Sequence, residues 1–181
     1  DIESHAIERA FGIMVDKLPN APELVALIDI GHNQTTLYIA KNGEFIYSRE
    51  QLFGGAQLTE AIQNRYGLSA EEASISKRER TLPDDYYLDV LTPFIENTIQ
   101  QITRSLQFYF SSSQYSSIDH VVLAGGSSSI AGLAGMAQQK LGVTVSIANP
   151  FTNMTIAPRI DNEQLAIDAP SLMAACGLAL R

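Results

Sequence analysis

The stretch "LIDIGHNQTTLYIAKNGEFI", residues 27–46, constrains this chain more than any other. An apolar run ends in Asp29-Ile30-Gly31, a polar bend follows, and residues 35–41 and 44–50 then alternate on either side of Asn42-Gly43. Asn-Gly between alternating segments is the strongest short-range hairpin signal, because both residues tolerate the positive φ of a tight turn. Three strands in antiparallel succession are therefore expected: 24–30, 35–41 and 44–50.

The remainder alternates helices with short buried strands. Residues 3–15 place Ala6, Ile7, Ala10, Phe11 and Met14 on one helical stripe, and "LPNAP" breaks it. "FGGAQLTEAIQNRYG" reads as a Gly-Gly hinge and a helix stopped at Gly67. Ser69 with Glu72 fits a capping box for a second short helix. Thr92-Pro93 reads as the N-cap and first position of a long helix through Ile95, Ile99, Ile102, Leu106 and Tyr109. "HVVLAGG" (120–126) and "VTVSI" (143–147) are strands flanking a helix near 130–141. Residues 148–168 read as irregular, and "SLMAACGLALR" as a last helix. The order predicts an α/β fold with a mixed five-stranded sheet. The expected units are residues 1–19, a leading helix, 20–54 with 92–181, the sheet-containing part, and 55–91, a small helical part.

Composition narrows the function. Twelve basic against 20 acidic residues give a net charge of −8, which argues against nucleic-acid binding. No run approaches a membrane span of roughly 20 apolar residues. A single cysteine, Cys176, excludes an internal disulfide and sits among small apolar neighbours. His5, His32 and His120 lack metal-ligand spacing. Lys77, Arg78 and Arg80 alternate with Glu79 as on a solvated helix face.

Two strand ends carry candidate chemistry. Asp29-Ile30-Gly31, with Thr35 and Thr36 beyond, suits a plain turn or a phosphate site in which glycine frees backbone amides and the acid holds magnesium through water. Leu123-Ala124-Gly125-Gly126-Ser127 suits a strand-to-helix turn or close approach of a flat ring or sugar. No Lys-Ser or Lys-Thr makes it a P-loop, and no G-x-S-x-G elbow exists.

In order, "ESHAIERAFG", "DIGHNQTT", "LFGG", "VVLAGGSSSIAGL" and "APSLMAACGLAL" resemble the connecting helix, second phosphate loop, lobe hinge, adenosine loop and second connecting helix of the actin-like ATPases. "YSREQLFGGAQLTEAIQNRYGLSAEEA", Arg104 to Tyr115, "ANPF" and "DAPSLMAACGLALR" narrow the resemblance to the type IV pilus assembly protein PilM family, over essentially the whole chain. The chain opens without Met directly before a helix, and against that family it reads as the C-terminal half, the second lobe of an actin-like (ribonuclease-H-like) fold.

The resemblance implies one wall of a cleft for ATP or ADP with Mg. It implies that Asp29 holds a magnesium-bound water, that Gly31 and the following amides face phosphate, and that Thr35, beside Thr36, donates its hydroxyl. Gly125 and Gly126 would approach ribose and adenine with Ser127 nearby, and Glu72 and Lys77 would grip the nucleoside. His32 and Asn33 replace the usual paired glycines, and no water-activating base is evident, so nucleotide binding is better supported than turnover; it is expected of the full-length parent, while this half is expected to bind ATP poorly and to be empty. The implied role is a cytoplasmic scaffold peripheral to the inner membrane. Its implied partners are the tail of PilN, held mostly by the other half, and other pilus inner-membrane components. A division-type filament protein and half of a sugar or acetate kinase are the alternatives. With the opposite lobe absent, Ala6, Ala10, Leu172, Ala175 and Leu178 are expected to leave an apolar face covered by self-association.

Overall fold

The computed structural model describes residues 3–79 and 81–181. A five-stranded sheet runs in the order β3-β2-β1-β4-β5, where β1 is Leu24–Ile30, β2 Thr35–Lys41, β3 Glu44–Gln51, β4 His120–Ala124 and β5 Thr144–Ile147. The first three strands pair antiparallel, and β4 and β5 join parallel. The expected hairpin is present: Asn42 and Gly43 have φ of 52° and 87°, the left-handed pair that a two-residue turn matching strand twist requires.

Among the described residues seven α-helices accompany the sheet: α1 (Glu3–Met14), α2 (Gly55–Tyr66), α3 (Ala70–Glu79), α4 (Thr92–Ser112), α5 (Leu133–Leu141), α6 (Asn162–Asp168) and α7 (Met173–Ala179). Strand parity sorts the core into two layers. Ile28, Ile30, Leu37, Ile39 and Leu123 face Ile95, Ile99 and Ile102 of α4. Val25, Leu27, Tyr38 and Val122 face Ile7, Phe11 and Met14 of α1 with Met173 and Cys176 of α7. Strand β1 lies at the centre and is buried along nearly its whole length, as a strand covered on both faces must be.

Three local expectations change. Thr92 does not cap α4: a π-helical turn, Tyr87–Leu91, runs straight into it, and the Thr92 hydroxyl donates back to the Tyr87 carbonyl at 2.8 Å. The 148–168 stretch contains α6, whose N-cap Asp161 accepts from the amides of Glu163 and Gln164. The apolar stripe of the terminal helices is largely covered, because α1 and α7 lie on their own sheet. Ala6 and Ala10 are fully buried, Leu172 is half-buried, and only Ala175 and Leu178 of the five are exposed.

The sheet edge at β3 is irregular. Pairing with β2 slips between Ile39 and Ala40, and the Phe45 amide donates to the Glu8 carboxylate of α1 at 2.7 Å.

His120 is buried on β4, its Nε2 2.8 Å from the Ser146 hydroxyl on β5, and burial holds its pKa below the usual value. A histidine depressed in the folded state contributes stability above its unfolded pKa, and that stability is lost as pH falls through the folded value. His120→Gln is therefore expected to flatten the loss of stability between pH 7 and 5, read as urea midpoints. An unchanged pH slope would remove His120 as its source.

Candidate functional site

The β1 end, the start of α2 and the turn after β4 converge on a single peptide group. The Gly31 amide donates to the Gln34 carbonyl at 2.9 Å, closing the β1–β2 bend. The Gly31 carbonyl accepts from the Gly55 amide at 2.9 Å and from the Ser127 hydroxyl at 3.2 Å, and the His32 carbonyl accepts from the Ala56 amide at 2.7 Å. Gly54 is required here, since a Cβ on it would lie 2.5 Å from the Gly31 oxygen and 2.6 Å from that of His32. The bend thus spends its carbonyls on the first amides of α2.

Trans-peptide geometry then fixes the other side of the bend. In a trans peptide the N–H points opposite to the C=O, and the chain has no cis bonds among its described residues. The amides of His32 and Asn33 therefore point away from α2. Adjacent amides aimed one way form an anion-binding concavity. The side chains of His32 and Asn33 are exposed.

Asp29 stands beside this bend, opposite Thr36 on β2 and Ala124 on β4. Burial first, and the Glu3 carboxylate second, push its pKa up to about 6. Gly125 makes room for it: φ is 83°, and a Cβ there would press into the Asp29 carboxylate and the Ile30 carbonyl. Tyr38, two residues along β2 from Thr36, is pushed up to about 12 by burial and by Asp29, Glu3 and Glu50. Strand parity separates the two threonines. Thr36 shares the face of Asp29, whereas Thr35 turns to the opposite layer and donates its buried hydroxyl to the Phe53 carbonyl at 2.6 Å. The hydroxyl expected to reach phosphate is committed to the hinge.

A cavity of about 520 Å³ opens on the other side of Ser127. Leu58 of α2, Leu82 and Tyr86 from the α3–α4 connection, and Ile130 supply apolar walls. Lys77 and Arg78 of α3, with Gly126 and Ser127, add polar groups. Lys77 is half-buried, burial lowers its pKa, and its ammonium donates to the Thr59 hydroxyl at 3.0 Å. Outside the cavity, Arg65 of α2 pairs with Asp85 at 2.7 Å and Asp89 at 2.6 Å, tying α2 to the segment that carries Tyr86.

The expected residues thus fall into two groups joined by Ser127. Asp29, Gly31, Thr36 and Gly125 surround the bend, while Lys77, Gly126 and Ser127 line the cavity. Glu72 lies outside both. Its carboxylate accepts from the Ser69 amide at 2.8 Å while its own amide donates to the Ser69 hydroxyl, so it serves the capping box of α3. Sequence reasoning missed Leu58, Leu82, Tyr86 and Ile130, which are apolar residues of three separate segments. It read Arg78 as a solvated face, and Arg78 is exposed while also lining the cavity beside Lys77; Arg80 lies outside the described residues. No cluster of three or more His, Cys, Asp or Glu able to hold a metal occurs among the described residues. Asp29 by itself fits a hydrated cation shared with a ligand, since its partly buried carboxylate is mostly ionised at neutral pH. No helix among the described residues is long and apolar enough to cross a membrane.

Comparison with solved structures agrees with this architecture. The PilM chain of the PilM-PilN type IV pilus biogenesis complex matches with a TM-score of 0.84 and 28% identity, over 100% of this chain and 52% of that one. The activator of the 2-hydroxyisocaproyl-CoA dehydratase from Clostridium difficile with bound ADPNP matches at 0.61 and 13% identity, covering 98% of this chain and 64% of the activator. An archaeal actin homologue matches at 0.61 and 14% identity, covering 94% and 52%. At such identities the last two likenesses are of fold: the mixed sheet with its flanking helices is that of the actin-like proteins. The chain spans about half the length of the PilM chain it matches. The family of the type IV pilus assembly protein PilM matches residues 1–181, and the chain belongs to that family.

Proposed function

We propose that this chain forms one wall of a nucleotide cleft, with the His32 and Asn33 amides toward phosphate, Asp29 toward a magnesium-bound water, and the cavity beside Ser127 toward the nucleoside. One observation carries this reading: Ser127 lines the cavity and also donates to the carbonyl that orients the bend. A base and a phosphate chain held by these two places would belong to one molecule. ATP or ADP with Mg fits the apolar walls, the Lys77 ammonium and the carboxylate at the strand end. When bound, the metal would supply charge neutralisation at the phosphates. Turnover is not expected from one wall, because phosphoryl transfer depends on positioning from both sides of the phosphates.

The biological role is a scaffold for type IV pilus assembly, with residues 55–91 as a helical unit set on the sheet. The related chain was solved as a PilM-PilN complex. PilN, other inner-membrane pilus components and a cytoplasmic location peripheral to that membrane are the corresponding partners and place.

Calorimetry with ADP tests the site. Asp29→Asn is expected to weaken binding roughly tenfold in magnesium and under about threefold in EDTA, since its charge acts through the metal. Equal losses in the two buffers would make Asp29 a turn residue only.

A further inference from the structure

Two hydrogen-bond relays run from the cavity to the bend, each through polar groups of this chain. In the first, the Ser127 hydroxyl donates to the Gly31 carbonyl at 3.2 Å, and the same peptide carries the His32 amide. In the second, the Lys77 ammonium donates to the Thr59 hydroxyl at 3.0 Å, which donates to the Gly55 carbonyl at 3.3 Å. The Ala56 amide of that peptide donates to the His32 carbonyl at 2.7 Å, and the His32 carbonyl shares its peptide with the Asn33 amide. Every donor in each relay points the same way, so the bonds polarise one another. Thr59 is buried, which keeps water from breaking the second relay in the middle.

We propose that Ser127 and Thr59 are positioning residues that couple occupancy of the cavity to the His32 and Asn33 amides, one relay for each amide. The proposal rests on the nucleotide reading above and adds a direction of coupling to it. A ligand in the cavity meets Ser127 and Lys77 directly. Lys77 has three donor hydrogens and places one on Thr59, so a ligand acceptor can engage it without breaking the relay. Restricting either side chain then sharpens the donor at the far end. Ser127 also holds the bend by a second route, its amide donating to the Ile30 carbonyl at 3.1 Å. Gly55 lets the two relays meet: a Cβ there would lie 2.5 Å from the Ser127 hydroxyl oxygen.

The experiment is amide-resolved NMR of the chain with adenosine, which reaches the cavity and carries no phosphate, followed by pyrophosphate titration. In the wild type, adenosine is expected to move the Gly126 and Ile130 amides together with those of His32 and Asn33, and to tighten pyrophosphate binding roughly fivefold, the low end of ordinary coupling between sites. Ser127→Ala should abolish the shift at His32 and keep that at Asn33. Thr59→Val should do the reverse, and Thr59→Ser should restore the wild-type pattern. Cavity shifts without bend shifts in the wild type would overturn the coupling and leave the nucleotide reading standing. The absence of any cavity shift would overturn that reading. Ligand-free spectra then decide the relays: Ser127→Ala and Thr59→Val must perturb His32 and Asn33 selectively, and equal perturbation of both amides by either variant overturns them.

Discussion

Replacing Gly177 with alanine is expected to destabilise the protein by about 2 kcal/mol or more, read as a lower urea midpoint. Gly177 lies inside α7, where alanine alone would gain about 1 kcal/mol of helix propensity. Packing opposes the gain and exceeds it. A Cβ on Gly177 would run into the carbonyl oxygen, carbonyl carbon and Cα of Ala6 in α1, and all three atoms are backbone. A side chain could rotate aside, whereas a helix must move whole. Moving α1 disturbs Ile7, Ala10 and Phe11, which fill the layer beneath it, and it strains the bond from the Arg9 side chain to the Gly177 carbonyl at 2.9 Å. A Gly177→Ala variant as stable as the wild type would show that the two helices separate without cost.

Asp29→Asn is expected to act in the opposite sense, stabilising the fold by about 2 kcal/mol at pH 8. The folded pKa of Asp29 is about 6, raised from 3.8 by burial and by Glu3. An acid whose pKa is raised on folding weakens the folded state wherever it is ionised there, and the penalty fades as pH falls from the folded to the unfolded value. A shift of this size corresponds to about 3 kcal/mol, and partial solvation of the group reduces it to roughly 2. The gain from asparagine should therefore be full above pH 7 and fade between about pH 6 and pH 4. Unfolding at pH 8 and pH 4 measures both ends. An asparagine variant equally or less stable at pH 8 would mean that the carboxylate is satisfied in place. With the expected loss of magnesium-dependent ADP binding, the same substitution would gain stability and lose affinity, the trade expected where a site holds a charge uncomfortably.

Much of the fold was legible in the sequence, for physical reasons. Alternation over 44–50 has period two only in strands, whereas 35–41 is buried on both faces and does not alternate, and Asn42-Gly43 marks a left-handed turn. Helix α4 was legible through its apolar stripe, but its beginning was not. Thr92-Pro93 has the composition of a cap, and only tertiary packing reveals the π-helical turn that continues through it. Helix α6 carried a cap signal in Asp161 that its short, exposed length obscured. At the site, Asp29, Gly31 and Gly125 were legible because strand ends and glycines announce themselves. Which threonine accompanies Asp29 was not, since one residue of register exchanges the two faces, and the pairing Asp29 with Thr36 is a property of the sheet. The cavity walls were illegible for a similar reason: Leu58, Tyr86 and Ile130 are ordinary apolar residues until the helices bring them together.

The carboxylate of Glu8 over the Phe45 amide has a consequence for how molecules of this chain meet. Among the described residues strand β3 has a neighbour on one side only, and an open strand is a template on which a second chain can grow by main-chain pairing. Here one amide of that row is occupied from within, the register slip twists the row out of line, and Glu44, Arg49 and Glu50 set charges along it. These are the devices by which sheet proteins stay apart at high concentration. Glu8 thus takes from this edge one amide that a second strand would need for main-chain pairing.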